Sequence, residues 1–332
     1  MSYVILGAGA VGTSLAAQLT EAGIDTVLVG RGAQLAHLRD HGLLYQRPQG
    51  NSRIALSVTD LEGLRLRRGD VLLLAVKGQD VEELTARLAL LPVDGGGTAA
   101  DLPIVTLQNG IEAERIVARR FSRIYAAVVR VPAQYTRLGE VRVLAGPQFA
   151  SIMLGRFPHG TDALTARLTA DLARAQVLVE ERADIARWKV QKLIYNVRNV
   201  VELFAGSSQQ AAQVGEALSA EAEAVLKAAG FDPATEAERR VSLSGWTVTR
   251  DPDDPGGQST WQSFTRGARS EVDFLNGEIA LQARLLGIGA PWNIAAQHLA
   301  AELAAEGGKP GVIGLDRLVS LVHSGKAAAA AS

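Results

Sequence analysis

A short apolar run, Tyr3-Val4-Ile5-Leu6, leads directly into Gly7-Ala8-Gly9-Ala10-Val11-Gly12, and an amphipathic stretch follows without a gap. A glycine-rich turn held between a strand and a helix leaves a chain few ways to fold. The first glycine permits the tight turn, the second lets the backbone approach a ligand, and the third brings the helix close to its strand. A helix starting there presents unpaired N–H groups and a partial positive charge at its first turn. That suits the pyrophosphate of a dinucleotide, so Gly7, Ala8, Gly9, Ala10, Val11 and Gly12 form the candidate cofactor loop. The competing reading is a purely structural turn.

The rest of the first half supports a nucleotide-binding domain. Apolar runs at residues 26–29, 71–75, 104–107 and 125–129 alternate with helical periodicity at 11–22, 34–41, 81–91 and 112–121. Strands rich in Val, Ile and Leu without polar alternation are buried on both faces, as in a parallel sheet covered by helices. The expected fold class is α/β, a Rossmann-type doubly wound parallel sheet followed by a second, all-helical C-terminal domain. Residues 141–155 read as one or two antiparallel strands. Beyond about residue 184, helical periodicity dominates, at 185–204, 209–229, 233–242, 261–286, 293–305 and 315–323. The expected boundaries are 1–182 for the nucleotide-binding domain, 183–325 for the helical domain and 326–332 for a disordered, Ala-rich tail.

The end of the second strand bears on the cofactor. Leu28-Val29-Gly30-Arg31 has no carboxylate to hold a ribose 2′-hydroxyl and offers a guanidinium instead, whose planar fork suits a 2′-phosphate. Arg31 therefore points to NADP (NADPH), against the alternative of a solvated surface arginine. In the helical half, Lys192, Asn196 and Asn199 fall at i, i+4 and i+7 on one stripe, beside an apolar face of Leu193, Val197, Val200 and Leu203. Such a lysine can donate a proton to a carbonyl oxygen, and the asparagines can hold polar substrate groups; a solvated helix edge fits the spacing equally well. Ser259 reads as the N-cap of one long helix that carries Glu271 and Asp273. Spacing alone favours a solvated role for Glu271.

Other features narrow the function classes. Lys+Arg is 34 and Asp+Glu 35, a formal net charge of -1, which argues against nucleic-acid binding through a basic face. No apolar run approaches the roughly 20 residues of a membrane span. Cysteine is absent, excluding thiol nucleophiles, disulfides and thiolate metal sites. His37 and His41 have metal-ligand spacing but lack a third ligand, so they read as a solvated face and no metal is expected. With no basic segment ahead of the first strand, the reading expects no signal peptide and a cytoplasmic location.

Taken together, the order and spacing of the glycine loop, Ala75-Val76-Lys77, Leu107-Gln108-Asn109-Gly110, Trp188 with Lys192 and Asn196, and Ser259 through Glu271-Val272-Asp273 resemble the ketopantoate reductase (2-dehydropantoate 2-reductase) family over nearly the whole chain. The resemblance implies NADPH-dependent reduction of a 2-oxo acid, ketopantoate to pantoate, on the route to pantothenate. It further implies Lys192 as general acid and Glu271 as the group that hydrogen-bonds substrate and helps set the lysine. Asn109 and Asn196 would orient substrate or nicotinamide, Ser259 would meet the substrate carboxylate, and Lys77 would lie near the cofactor. A homodimer through the helical domain, with the apolar faces near residues 209–229 as candidate surface, is expected on the same ground. The chain departs from the family pattern at Val200, where an asparagine is expected, and at Thr260 and Ser263, where Met and Asp are expected. Two alternatives stand beside ketopantoate reduction: an NADPH reductase of another small carbonyl or imine compound, and an NADP-sensing protein without turnover.

Overall fold

The computed structural model describes residues 2–249, 257–267 and 270–325. The expected tail at 326–332 and most of the glycine-rich stretch at 251–258 lie outside them. The chain forms two compact units. One takes the residues up to Gln108, Ala113–Ala186 and the stretch from Ala237; the other takes Asn109–Glu112, Arg187–Glu236 and the described residues from 257 onward. The first unit thus continues past residue 182 to Ala186 and takes back a later segment, whereas a short piece of the first half belongs to the second unit.

The first unit is built on an eight-stranded sheet. Its strands are β1 (Tyr3–Leu6), β2 (Thr26–Val29), β3 (Val58–Thr59), β4 (Val71–Leu74), β5 (Ile104–Thr106), β6 (Ile124–Arg130), β7 (Ala150–Arg156) and β8 (Val177–Glu181). They lie side by side in the order β8-β7-β6-β5-β4-β1-β2-β3. All neighbours are parallel except β6 and β7. From β3 to β6 this is the 3-2-1-4-5-6 order of a dinucleotide-binding fold, with strand order reversing beside β1. Crossover helices α1 (Ala10–Glu21), α2 (Gly32–His41), α3 (Val81–Leu88), α4 (Glu112–Val117) and α5 (Ala163–Arg174) connect the strands. Sequence periodicity had no segment for α5, although its N-cap is explicit: Asp162 Oδ1 accepts from the Leu164 and Thr165 amides at 2.9 and 3.0 Å.

A second sheet of four strands runs in the order Ala133–Arg137, Glu140–Val143, Leu43–Arg47, Gly50–Ile54. Its buried Leu43, Tyr45 and Val141 join Leu15 and Leu19 of α1 in one apolar core. Residues 141–155 therefore divide between the two sheets, with Glu140–Val143 in the small one and β7 antiparallel to β6 in the large one.

The second unit is almost wholly helical: α6 (Ile185–Asn196), α7 (Ser208–Ala228), α8 (Ser259–Thr265), α9 (Val272–Leu286), α10 (Pro291–Ala305) and α11 (Leu315–His323). The structure corrects four sequence expectations here. Residues 261–286 are two helices, with Gly267 at φ 62 between them, so Ser259 does not cap the helix that follows Glu271. The N-cap of α8 is Gln258, whose N–H donates to the Glu202 carboxylate at 2.7 Å. Residues 233–242 hold only the 3-10 turn Glu236–Glu238 rather than a helix; Glu180, buried in the first unit, accepts the amides of Arg240 and Val241 at 3.2 Å and draws this segment back there. The apolar face of α7 (Val214, Leu218, Ala222, Val225 and Leu226) is enclosed in the core of the unit, so it is not an association surface. No helix among the described residues is long and apolar enough to cross a membrane.

Candidate functional site

In the first unit the loop after β1 is shaped from both sides. Gly7 has φ 123, and a Cβ on it would stand 2.9 Å from the Ala75 carbonyl carbon at the end of β4. A Cβ on Gly12 would overlap the Gly7 carbonyl oxygen and lie 3.1 Å from Ala75 Cβ. Both glycines are thus required by the protein's own packing. Gly9 differs, because a Cβ there would meet no protein atom within 4 Å. Gly9 is also the N-cap of α1 and supplies no side-chain acceptor for the first helical amides. A glycine with open space above it, next to uncapped helix N–H groups, fits a pyrophosphate brought close to the backbone.

The flanking residues lie around that loop. Gly30, at the end of β2, would place a Cβ 2.9 Å from Ala8 Cβ, so β2 ends against the loop. Arg31 follows it with its side chain 86% exposed, and Nη2 is 3.9 Å from Asp80 Oδ1. A pair this open and this long contributes little to stability, so the guanidinium is free to reorient toward an anion. Lys77 lies two residues past Ala75, half-buried, and leads the 3-10 turn Gly78–Asp80. Sequence reasoning gave no role to Gln108, yet its buried Nε2 donates to the carbonyls of Leu74 and Val76, each at 2.8 Å, and ties the end of β5 to the end of β4.

In the second unit α6 carries Lys192, half-buried, and ends at Asn196, 5% exposed. The helix then tightens into a seven-residue 3-10 segment, Val197–Leu203. Runs that long are uncommon and accompany strain or function. Three residues per turn stack Asn199 over Asn196, so the predicted stripe survives the change of helix type. Asn199 is 4% exposed, and its Oδ1 has no hydrogen-bond partner. Val200, in contrast, is 1% exposed and packed in the apolar core.

Both α8 and α9 pack on that 3-10 segment. Ser259 is exposed on the first turn of α8, while Thr260 and Ser263 are buried; the Ser263 hydroxyl donates to the Ser259 carbonyl at 2.7 Å. Glu271, half-buried, is the N-cap of α9. Asn109 belongs to this unit as well. The adjacent Gly110 has φ 83, and a Cβ on it would be 2.7 Å from the Phe274 carbonyl oxygen in the first turn of α9. Asn109, Asn196, Asn199, Ser259 and Glu271 thus sit on segments that touch within one unit.

The end of α6 is fixed by a buried chain of amides. Asn276 Nδ2, on α9, donates to the Val197 carbonyl and to Asn293 Oδ1, both at 3.0 Å. Asn293 Nδ2 passes on to the Leu218 carbonyl and to Glu221 Oε1. Glu221 also accepts the Trp292 and Asn293 backbone amides at 2.9 and 2.8 Å, which caps α10. Burial pushes the Glu221 carboxyl above its ordinary range, and those donors offset part of the rise. His37 and His41 stack with ring centroids 4.7 Å apart, and no group of three metal-ligating side chains occurs among the described residues.

Comparison with known proteins agrees with this architecture. The family profile described as "Ketopantoate reductase PanE/ApbA" matches residues 3–158, and its C-terminal counterpart matches residues 184–304. A protein of Archaeoglobus fulgidus named 2-dehydropantoate 2-reductase is 28% identical over 293 residues, spanning 86% of this chain and 91% of the relative. A crystal structure of a PanE/ApbA family ketopantoate reductase from Ralstonia eutropha superposes with a TM-score of 0.74 at 25% identity, over 92% of this chain and 99% of that one. The ternary structure of D-mandelate dehydrogenase with NADH and anilino(oxo)acetate has a TM-score of 0.76 at 18% identity, over 92% and 99% of the two chains, and shares the fold. With both profiles together covering most of its length, the chain belongs to the ketopantoate reductase family and is an oxidoreductase of the kind that acts on CH–OH groups.

Proposed function

We propose that this protein reduces a 2-oxo acid with NADPH, and that the acid is ketopantoate, giving pantoate. The observation that carries the substrate reading is Asn199. A buried amide oxygen without a donor is costly, and a hydroxyl on the bound acid would satisfy it. Ketopantoate carries such a hydroxyl, as well as the carboxylate that Ser259 would meet. The NADPH preference is supported by Arg31, whose guanidinium is exposed and weakly held beside the glycine loop.

In this mechanism residues 7–12 hold the pyrophosphate through backbone N–H groups, Arg31 holds the 2′-phosphate and Lys77 lies beside the cofactor. Nicotinamide, when bound, supplies the hydride. The chain's own contribution is charge and orientation. Lys192 stabilises the negative charge that grows on the ketone oxygen and delivers its proton there. Glu271 hydrogen-bonds the substrate and keeps the lysine directed, while Asn109 and Asn196 orient the acid and the nicotinamide. The homodimer is reassigned to the end of α9, where Leu281 and Leu285, at i and i+4, are 41% and 69% exposed, with Ile288 exposed just past the Gly287 cap. Leu285→Glu is expected to convert a dimer to a monomer in sedimentation; an unchanged sedimentation coefficient of a dimer would remove α9 from the interface.

A second reading has its own support. The buried Val200 and the Ser263 hydroxyl engaged with a backbone carbonyl stand where the family pattern has Asn and Asp, and the buried Thr260 stands where it has Met. They favour a different 2-oxo acid with the same chemistry. Turnover of ketopantoate and of a panel of 2-oxo acids, followed by NADPH and NADH absorbance, tests both. Highest kcat/KM for ketopantoate with NADPH, and an NADPH preference reduced roughly tenfold or more in Arg31→Ala (about 1.4 kcal/mol), is the expected outcome. Higher kcat/KM for another acid selects the second reading. Tight NADPH binding without turnover of any carbonyl selects the sensor, and an unchanged cofactor preference in Arg31→Ala removes the argument for NADP.

A further inference from the structure

The first unit holds a second polar site, far from the glycine loop. A cavity of about 660 Å³ opens between the end of α1, the hairpin of Leu43–Arg47 with Gly50–Ile54, and the start of β8. That volume is in the range of small-ligand pockets. Glu21 ends α1 whereas Gly9 precedes its start, so at about 1.5 Å per residue the two sites are separated by roughly 17 Å of helix.

Neither charge of this cavity is held by an ion pair among the described residues, the half-buried Arg47 being hydrogen-bonded to neutral groups and Glu21 standing exposed on the rim. Every hydrogen-bond acceptor of the Arg47 guanidinium is an uncharged amide oxygen: the side chains of Gln18 and Gln176, and the carbonyls of Ala145 and Pro147. Its Nε is buried without a partner. Glu21, on the rim, accepts only from the Gln18 amide at 3.1 Å and the Ser52 hydroxyl at 3.0 Å. A cation and a carboxylate thus line one cavity, and neither forms an ion pair with the other or with any described residue. Tyr45, fully buried on the same strand as Arg47, has a hydroxyl that finds no acceptor. Burial keeps that hydroxyl protonated, well above its ordinary range.

Gln176 adds an independent sign. It follows the C-cap of α5 and is the only non-glycine residue among the described ones with positive φ, at 58. Glycine is the ordinary residue there, and a side chain carries a steric cost. The cost is accepted at a position whose amide lines the cavity and contacts Arg47. Gln49 and Gln148 complete an amide-rich wall.

We propose that this cavity binds a small amino acid as its zwitterion, the carboxylate seated against the Arg47 guanidinium and the ammonium on Glu21. A simple anion would meet the Glu21 charge without compensation, and a simple amine would meet Arg47 in the same way. Only a ligand carrying both charges completes both groups. The inference does not rest on the reductase reading.

The test is calorimetry and saturation-transfer NMR on the full-length protein with ω-amino acids of two to five carbons. Acetate, butyrate and butylamine serve as single-charge controls. Saturable binding of at least one amino acid, tenfold or more tighter than the controls, is the expected result. Arg47→Met and Glu21→Gln should each weaken it about tenfold or more, which is about 1.4 kcal/mol, with NADPH affinity unchanged. Absence of saturable binding, equal binding of single-charge controls, or undiminished binding in the Glu21→Gln protein overturns the proposal. The panel on the unmodified protein decides the matter even if Arg47→Met destabilises the hairpin.

Discussion

Lys192→Met is expected to lower kcat for the reduction of ketopantoate, or of whichever 2-oxo acid proves best, by roughly 10²–10⁴-fold, the range for loss of a positioned general acid. Methionine keeps an unbranched apolar stem, so the packing of α6 should survive, and the ammonium alone is lost. The glycine loop belongs to the other unit, so NADPH affinity should stay within about twofold, well under 1.4 kcal/mol. Because the lysine acts on charge that develops only in the transition state, kcat should fall far more than KM changes. The limb of the kcat–pH profile that reports the acid should vanish with it. Steady-state kinetics across pH, with fluorescence titration of NADPH, measures all three quantities. Retained turnover in Lys192→Met would remove the lysine from the mechanism.

The second large effect separates the glycines of the loop. Gly9→Ala is expected to fold with nearly unchanged stability, since the added methyl meets no protein atom within 4 Å and Gly9 has φ -86 and ψ -171, which alanine tolerates. Its NADPH affinity should nevertheless fall by roughly 100-fold or more, about 2.7 kcal/mol, because the methyl occupies the space a pyrophosphate needs. Gly12→Ala should behave in the opposite order. Its Cβ would overlap the Gly7 carbonyl oxygen, an overpacking that costs about 1–3 kcal/mol of stability before any ligand is added. Thermal unfolding with and without NADPH distinguishes the two. If Gly9→Ala binds NADPH as well as the parent protein does, the loop is a structural turn and the cofactor reading fails at its first residue.

The contrast between those glycines also marks how much of the site could be read from sequence. The motif already gave the close-approach position to Gly9 and the structural positions to Gly7 and Gly12. What it could not supply is the physical reason, which lies in the positions of Ala75 and the Gly7 carbonyl. Likewise, Lys192, Asn196 and Asn199 were legible as one stripe because helical rotation is a local property. The orphaned Asn199 oxygen and the burial of Val200 were not, since both depend on what α7, α8 and α9 pack against the 3-10 segment. Asn276, Asn293 and Glu221 gave no signal at all, and Gln108 stood in a recognised motif without a role: polar residues in apolar or mixed runs acquire partners only when distant segments meet. The break between α8 and α9 had a local clue in Gly267, which the apolar periodicity on either side concealed.

By itself, the sequence determined the elements whose stability is local or whose burial is uniform: β1 with its glycine turn and α1, the apolar parallel strands β4 to β6, and helices α7, α10 and α11. Their patterns are written in contiguous residues, because hydrophobic periodicity and backbone geometry act over a few residues at a time. Tertiary structure alone decided the four-stranded sheet, in which Tyr45 pairs with Val141, a residue far along the chain. It also decided the return of the segment after Ala237 to the first unit, and the meeting of Glu21, Arg47 and Gln176 at one cavity. Those features depend on contacts between residues far apart in the chain. Such contacts impose no period on the sequence, so they come into view only once the chain has closed on itself.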